Sequence, residues 1–204
     1  IGAANRFFQR FLSWVALVLL LITAAGCSPR KTKPTAPVSN EHTGEYAIVD
    51  RQTGVVKNFN SAPSDLLTNN AYKTTKLVLR RIASGTFDMG DETGDGGSRE
   101  RPVHRVRISE PFYIGVFELT QGQWSAAKGS QPSQFSANGE TRPVESISWN
   151  DISGTTGIAA TLSQLTGLSF DLPTEAQWEY ACKAGESPED CGCYLDLLDR
   201  KSVV

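Results

Sequence analysis

An apolar run near the start of the chain limits how much of it can form a packed domain. Residues Phe11 to Ala25 carry no charge, Arg6 and Arg10 precede them, and Ala-Ala-Gly leads directly into Cys27. A basic segment, a short apolar segment and small residues before a cleavage point are typical of a bacterial secretory signal. About 15 apolar residues are also fewer than the roughly 20 that a bilayer-spanning helix requires. We therefore expect residues 1–26 to be a signal peptide.

Cys27 and the residues after it indicate attachment to a membrane. A cysteine that follows Ala-Ala-Gly resembles a lipobox, in which that cysteine is lipidated and becomes the first residue of the mature protein. The alternatives are a retained N-terminal anchor helix and a buried helix of a soluble domain. Residues 28–45 contain three prolines and little that can be buried, which favours an extended tether. We expect a lipid anchor and tether over residues 27–45, and a lipoprotein of the bacterial cell envelope.

The rest of the chain has the composition of one ordinary globular domain. The 204 residues include 39% hydrophobic residues, and the formal net charge is −2. This charge provides no basic surface for nucleic acid and no acidic excess of the disordered kind. We expect a domain over residues 46–185 and no nucleic-acid partner.

Short strands and two clearly capped helices follow one another along this domain. Apolar alternation and continuous apolar runs predict strands at 46–49, 55–59, 77–82, 86–89, 103–109, 112–119 and 143–149. Thr120 with Gln123 has the spacing of a capping box, and so does Thr174 with Gln177. These signals predict an α+β fold with many loops.

A third helix is predicted between the two capped ones. Ile158, Leu162 and Leu165 recur at helical spacing, which favours an amphipathic helix with these side chains on its buried face. Asn150 is a suitable N-cap before this helix.

Five blocks of the sequence, taken together, point to a known family. They are Gly85–Gly90, Glu100–Val106, Phe112–Ile114 with Glu118–Thr120, Pro143–Val144 with Ser148–Asp151, and Leu172–Ala181. In this order they resemble the formylglycine-generating enzyme family, also called the sulfatase-modifying-factor domain. The last block is the most recognisable, with Gln177 in place of the usual acid and Asp171 in place of the usual arginine. The resemblance implies a loop-rich, C-type-lectin-like α+β fold.

The resemblance also implies an activity and two metals. Active members of the family use copper to oxidise a sulfatase cysteine to formylglycine, and they also bind calcium. Their copper cysteines and calcium ligands would follow residue 185, but residues 186–204 do not resemble that part of the family. We expect a domain truncated at the C-terminus, or a naturally short variant, without catalytic residues or metal ligands in this chain. Glu118 and Trp149 are the candidate substrate-groove residues.

Several other polar residues are compatible with chemistry but favour a structural role. Cys191 and Cys193 are separated by one residue, which matches neither a zinc hook nor the copper pair of the family. Cys182 is expected to be a packed thiol. His104, on a predicted strand, is expected to be a structural, hydrogen-bonded histidine, and His42 is expected to be solvated in the tether.

Two groups of acidic residues have similar alternatives. Asp91, Glu92 and Asp95 have oxygen ligands that suit calcium, but their spacing is not that of an EF-hand, so a solvated loop is favoured. Glu175 and Glu179 are one helical turn apart and are expected to serve capping and the helix dipole.

Two functions from different classes therefore remain open. The first is an oxidoreductase of the formylglycine-generating type that acts on an exported sulfatase. The second is a non-catalytic, membrane-tethered recognition module that binds a peptide or a glycan, because this kind of domain is reused without the oxidase chemistry. The related iron-dependent sulfoxide synthases need an additional His-rich helical domain, which this sequence lacks.

The lipid anchor leads to the first testable prediction. When the chain is expressed in a bacterium with radiolabelled palmitate, we expect the protein to be labelled. Cys27→Ser should abolish the label and release the protein from the membrane, since acyl chains contribute about 0.8 kcal/mol per buried methylene. Label that persists in Cys27→Ser would contradict the lipobox.

Overall fold

The structure is a computed structural model that describes residues 21–23, 44–91, 94, 98–137 and 139–183, with the backbone alone described at 21–23. The rest of the predicted signal peptide, Cys27, the tether as far as residue 43, and the tail from residue 184 onwards lie outside the described residues. Within the described part, no helix is long and apolar enough to cross a membrane.

Along the described residues, most of the strands come before the helices. The strands are β1 (Leu21–Thr23), β2 (Tyr46–Asp50), β3 (Val56–Phe59), β4 (Lys76–Ile82), β5 (Gly85–Met89), β6 (His104–Ile108), β7 (Phe112–Gly115) and β8 (Ser169–Asp171). The helices are α1 (Gln121–Lys128), α2 (Trp149–Ser153), α3 (Ile158–Thr166) and α4 (Glu175–Cys182). Short 3₁₀ turns lie at Asn70–Lys73, Ser98–Glu100 and Gly139–Thr141. The predicted α+β class is confirmed.

The described strands form two sheets. The larger has the order β3-β2-β4-β7-β1-β8, and its neighbouring strands are antiparallel. The smaller sheet contains β5 and β6, also antiparallel. The predicted hairpin between β2 and β3 is confirmed: the Asp50 carboxylate accepts hydrogen bonds from the amides of Gln52 and Thr53, and Gly54 has a φ of +73° at the turn.

Strand β7 separates two hydrophobic cores. Tyr113 faces the main core, which the larger sheet shares with α1, α2 and α3 and which contains Leu79 and Trp124. Phe112 and Ile114 face a second core with Phe87, Ile108 and Tyr180, formed with the smaller sheet and α4. Because alternate side chains of a strand point to opposite faces, β7 is buried on both sides, as its continuous apolar run predicts.

Three sequence predictions about the ends of elements are wrong. The predicted strand 112–119 ends at Gly115: the amide of Val116 still donates to the Val78 carbonyl in the register of β4 and β7, and the chain then bends at residues 116–117. The predicted strand 143–149 makes only an isolated bridge, between Pro143 and Thr120, and the left-handed φ of +61° at Ser146 breaks any extended ladder. Asn150, predicted as the N-cap before the helix of Ile158 and Leu162, instead lies inside α2, and Gly157 is the N-cap of α3.

Two further corrections concern helices α2 and α3. Ser148 caps α2, because its hydroxyl accepts from the amide of Asp151 and the Asp151 carboxylate accepts from the amide of Ser148. On α3, Ile158 and Leu162 are buried as predicted, but Leu165 is 39% exposed near the end of the helix. Strand β1 is not predicted from the sequence. Its residues, Leu21–Thr23, belong to the apolar run that the sequence assigns to the signal peptide.

The two predicted capping boxes are confirmed, and only one of them is buried. Gln123 is 1% exposed; its side-chain oxygen accepts from the amide of Thr120 at 2.9 Å, and its Nε2 donates to the carbonyls of Tyr72 (3.2 Å) and Lys76 (2.6 Å). Gln177 caps the Thr174 amide of α4 at 2.9 Å in the same way, but at an exposed position. The box at α1 therefore also fixes the helix against β4 and the 3₁₀ turn that precedes it.

This difference predicts unequal effects of one substitution at two matched positions. Gln123→Ala leaves one buried amide and two buried carbonyls without their partner, at about 1–3 kcal/mol each, so we expect a loss of roughly 3 kcal/mol or more in the free energy of unfolding. Gln177→Ala should cost about 1 kcal/mol or less, as for an exposed cap. Urea unfolding of both full-length variants measures the difference. Equal losses would contradict the anchoring role of Gln123.

Candidate functional site

The two predicted substrate-groove residues lie on segments that contact each other. Glu118 is half-buried in the segment between β7 and α1, and Trp149 is the first residue of α2. The carbonyl of Leu119, next to Glu118, accepts from the amide of Val144 at 2.8 Å. Residues 144–149 then lead from this contact to Trp149, which is 63% exposed.

A buried glutamine of α1 forms hydrogen bonds with the loop that follows this helix. The Gln121 side chain is 1% exposed; its Nε2 donates to the carbonyls of Phe135 and Pro143, both at 3.2 Å, and its oxygen accepts from Gln131 at 3.0 Å. Gly139 is required here, because a Cβ at this position would lie 2.2 Å from the Gln121 oxygen. Helix α1 therefore contacts this loop through the Gln121 side chain and also through Trp124, whose Nε1 donates to the Ser130 hydroxyl at 3.3 Å.

Glu145 connects that loop to the segment before α2. Its carboxylate accepts from the amide of Phe135 at 3.0 Å and from the Ser146 hydroxyl, and its backbone pairs with the Ser133 hydroxyl. Partial burial opposes ionisation, but the hydrogen bonds from Ser146, from the amides of Phe135 and Gln134, and from Ser133 outweigh it. Together they hold the pKa of Glu145 below the usual value.

Ser146 makes the sharp turn that exposes Trp149. Its left-handed backbone lets Val144 (0% exposed) and Ile147 (6%) both enter the main core, although they are three residues apart. The capping box of Ser148 and Asp151 follows at once, so the first turn of α2 is held in place while Trp149 points to solvent. Hydrogen bonds from the side chain and amide of Ser148 lower the pKa of Asp151 and keep its carboxylate charged.

These residues form a surface that we call the aromatic loop surface: Phe135, Glu145, Ser146 and Trp149. Phe135 is 55% exposed and its amide donates to the Glu145 carboxylate, and Trp149 follows Glu145 by four residues along the chain. Exposed aromatic rings on a fixed frame are typical of binding surfaces. The arrangement offers apolar contact and one negative charge to a ligand, which suits binding.

Sequence reasoning identified Trp149 and Glu118 in this region but missed Phe135, Glu145 and Ser146. One signal was available for Phe135, an isolated aromatic residue in a polar stretch (residues 130–140). Glu145 contacts Phe135, ten positions away, and no local sequence pattern predicts such a contact. Serine has no preference for a positive φ, so the turn at Ser146 could not be predicted from its residue type.

The other polar residues singled out from the sequence have structural roles. His104 is exposed, with Nδ1 at 3.2 Å from the Pro102 carbonyl. Glu179 accepts from the amide of Gly90 at 2.9 Å and pairs with Lys183 at 2.9 Å, so it fixes α4 against the end of β5. Glu175 lies in the first turn of α4, where a negative charge favours the helix dipole.

The sequence predicts a solvated acidic loop after β5, and for Asp91 this prediction is wrong. Asp91 is 7% exposed; its carboxylate accepts from the amide of Gly94 and lies 3.5 Å from Nε of Arg101. Asp91 therefore closes its own loop. Glu92 and Asp95 lie outside the described residues.

The metals that the family implies have no ligand set among the described residues. No group of three or more His, Cys, Asp or Glu side chains comes together in residues 44–91, 94, 98–137 and 139–183. Cys182 is half-buried at the end of α4, and Cys191 and Cys193 lie outside the described part. The described residues therefore do not fit a copper or calcium site, and no chemical step is assigned to either metal.

A family model matches most of this domain. The sulfatase-modifying factor enzyme 1-like domain matches residues 64–193, which is more than half of the chain. The chain belongs to the sulfatase-modifying factor family. Strands β2 and β3 precede the matched residues, and β2 pairs with β4, so the larger sheet of this family member includes them.

Two proteins that resemble this chain are longer than the part of them that it matches. A protein of Paenibacillus barcinonensis named chaperone protein LppX is 30% identical over 115 aligned residues, which cover 42% of this chain and 40% of the relative. The structure of PvdO from Pseudomonas aeruginosa is 24% identical, with a TM-score of 0.42, and the match covers 53% of this chain and 48% of PvdO. The matches thus span less than half the length of either relative.

The hydrogen bonds of Glu145 predict a titration that the Phe135 amide reports. Since the pKa of Glu145 is lowered in the folded protein, the bond to Phe135 contributes stability above the unfolded pKa and is lost as pH falls through the folded pKa. The amide proton shift of Phe135, followed by NMR, should titrate with a midpoint below the usual glutamate value. In Glu145→Gln this titration should vanish. A midpoint at or above the usual value would contradict the assignment.

Proposed function

We propose that this member of the sulfatase-modifying factor family is an envelope-tethered module that binds polypeptides, with Trp149 as its main contact. The observation that carries the proposal is that Trp149 has the largest exposed fraction among the large hydrophobic side chains of the described residues, although α2 around it is firmly capped. A ring presented in this way favours recognition of a partner over a role in the core.

The energetics of Trp149 suit a binding contact. Covering a ring of this size removes on the order of 100–150 Å² from water, which at about 25 cal/mol per Å² contributes roughly 3 kcal/mol. Ile152 on the same helix is 4% exposed, and the Ser148–Asp151 box fixes the preceding turn. A side chain on a backbone that is already fixed has no backbone entropy left to lose on binding.

The printed name of one relative favours a polypeptide as the partner in this proposal. One relative is named a chaperone, and a chaperone handles other polypeptides. The lipobox at Cys27 and the tether after it would hold the domain outside the inner membrane, where an exported sulfatase or another exported protein would be its client. A glycan is the alternative ligand, as the lectin-like fold implied by the resemblance suggests.

The family match favours a second candidate, oxidation of a sulfatase cysteine to formylglycine. The oxidases of this family bind copper between two cysteines. Among the described residues Cys182 is the single cysteine, so this activity would depend on residues outside them. The binding function uses residues that the structure describes.

A matched pair of substitutions tests the binding function. The probes are a fluorescent, cysteine-containing peptide of an exported sulfatase and a reduced, unfolded exported protein, each titrated into the full-length chain in detergent micelles. Trp149→Ala should weaken binding about 30-fold, as expected for a hot spot of about 2 kcal/mol. Leu67→Ala, which removes an apolar side chain that is 58% exposed elsewhere, should change binding less than about twofold.

The alternatives have different outcomes in the same experiment. Trp149→Phe should retain most of the affinity, because a smaller aromatic ring keeps most of the contact. Equal effects of Trp149→Ala and Leu67→Ala would contradict the proposal, and so would binding to a glycan array without binding to peptides. Formylglycine detected by mass spectrometry after incubation with copper would favour the oxidase.

A further inference from the structure

Strand β1 occupies a position between two strands that do not otherwise pair. Ile22 lies opposite Tyr113 of β7 on one side and Phe170 of β8 on the other, and both pairings are antiparallel. Strands β7 and β8 are therefore parallel to each other and separated by two strand spacings, about 10 Å. We call this position the strand slot: the facing edges of Phe112–Gly115 and Ser169–Asp171.

The β7 side of the slot is held independently of β1. Strand β7 pairs with β4 from Ile82↔Phe112 to Leu79↔Gly115 on its other edge. The Tyr113 hydroxyl also donates to the carbonyl of Gly44, and burial raises the pKa of this phenol, which keeps it a donor. Both faces of β7 are covered by the two hydrophobic cores.

The β8 side is held by helices. Phe170 is 5% exposed in the main core, and its amide donates to the Ser163 hydroxyl of α3 at 2.9 Å. The Asp171 carboxylate accepts from the Ser153 hydroxyl at the end of α2 at 2.6 Å. Neither contact involves β1, so we expect them to keep β8 in place when β1, its strand partner in the described sheet, is removed.

Removal of β1 is what the sequence predicts for the exported protein. Cleavage before Cys27 would take residues 21–23 away and leave the slot with unpaired backbone groups on two facing edges. An open edge of this kind is a template for another strand, and strand addition is an established way to bind an extended peptide.

We propose that the mature protein binds an extended segment of its client in the strand slot, antiparallel to both β7 and β8. This inference rests on the proposed polypeptide-binding function and names the backbone site of that function. The slot uses both edges of the bound strand, so a client segment should have no proline in its middle. Leu-Ile-Thr, whose backbone occupies the slot here, provides the sequence for a probe.

The register connects the slot to the aromatic loop surface. Leu21 lies opposite Asp171, and Thr23 lies opposite Ser169. The N-terminal side of a bound segment therefore leaves the slot at Asp171, which contacts Ser153 of α2. Helix α2 begins with Trp149, so a client strand that extends in this direction approaches the side of the molecule where the exposed ring lies.

The experiment empties the slot in the full-length chain. Ile22→Pro removes an amide from the middle of β1 and cannot be accommodated between two paired strands, whereas Val18→Pro places the same change in the apolar run outside β1. The probe is a lysine-flanked peptide that contains Leu-Ile-Thr and a photoreactive benzoylphenylalanine. We expect Ile22→Pro to bind the probe at least about tenfold more tightly than the wild type or Val18→Pro, because β1 no longer competes.

Cross-links identify the site of binding. In Ile22→Pro they should map by mass spectrometry to residues 112–115 and 169–171, and a probe that is N-methylated at isoleucine should not bind. Cross-links elsewhere, or no gain in affinity, would overturn the proposal. Disulfide-independent dimers cross-linked through residues 21–23 of a second copy would also overturn it, since they would make another copy of this chain the occupant.

A second arm covers the case in which Ile22→Pro does not fold. A protease site replaces residues 30–37 in the predicted tether, the chain is folded first, and cleavage then separates β1 from the domain. Excess probe should replace the leader in the slot with the same cross-links, and failure to do so overturns the proposal. If Trp149→Ala leaves client binding unchanged while the slot cross-links persist, the role of Trp149 is contradicted and the strand slot is supported. If Trp149→Ala weakens client binding but no cross-links map to the slot, the strand slot is contradicted and the role of Trp149 is supported.

Discussion

The buried side chain of Gln123 makes the hydrogen bonds on which the position of α1, and with it the loop that carries Phe135, depends. It completes the capping box of α1 and at the same time binds the carbonyls of Tyr72 and Lys76, which belong to the chain before and at the start of β4. A capping residue ordinarily forms hydrogen bonds only with the free backbone amides at the start of its own helix. Here one amide group also sets the position of the helix against the sheet, because a buried carbonyl without a partner is costly.

The position of α1 determines the position of every residue of the aromatic loop surface. Gln121, two residues before Gln123, holds the loop at Phe135 and Pro143. That loop then contacts Glu145, and the left-handed turn at Ser146 leads into the cap of α2. The surface is thus built from loops, but polar contacts with a buried helix start fix its shape. Phe135 is thus supported by hydrogen bonds of its loop, and Trp149 by the capped first turn of α2.

Local sequence signals predicted much of the fold, and contacts between distant residues account for what they missed. The hairpin at Gly54 and the boxes at Thr120 and Thr174 depend on residues two to five positions apart, and all three are confirmed. The segment 143–149 resembles a strand in sequence, but the turn at Ser146 brings Val144 and Ile147 into the core and leaves Trp149 exposed.

The candidate site shows the same limit. Trp149 and Glu118 were identified because they lie in blocks that resemble the family, whereas Phe135 and Glu145 lie outside those blocks. Their importance comes from hydrogen bonds that join residues 133–135 to residue 145, and such contacts leave no periodic pattern in the sequence. The burial of Asp91 was missed for a related reason, because its partner Arg101 lies ten residues away across a polar loop.

Strand β7 shows how this fold can expose a backbone edge without losing stability. A strand at an open edge is ordinarily held on one face only, and a loosely held edge invites aggregation. Phe112, Tyr113 and Ile114 are each buried at 6% exposure or less and are shared between two cores, and β4 pairs with the far edge. The edge that faces β8 can therefore release one strand and accept another while β7 itself stays in place. Burial on both faces of β7, which the apolar run at Phe112 signals in the sequence, is thus the physical condition for exchanging a strand beside it.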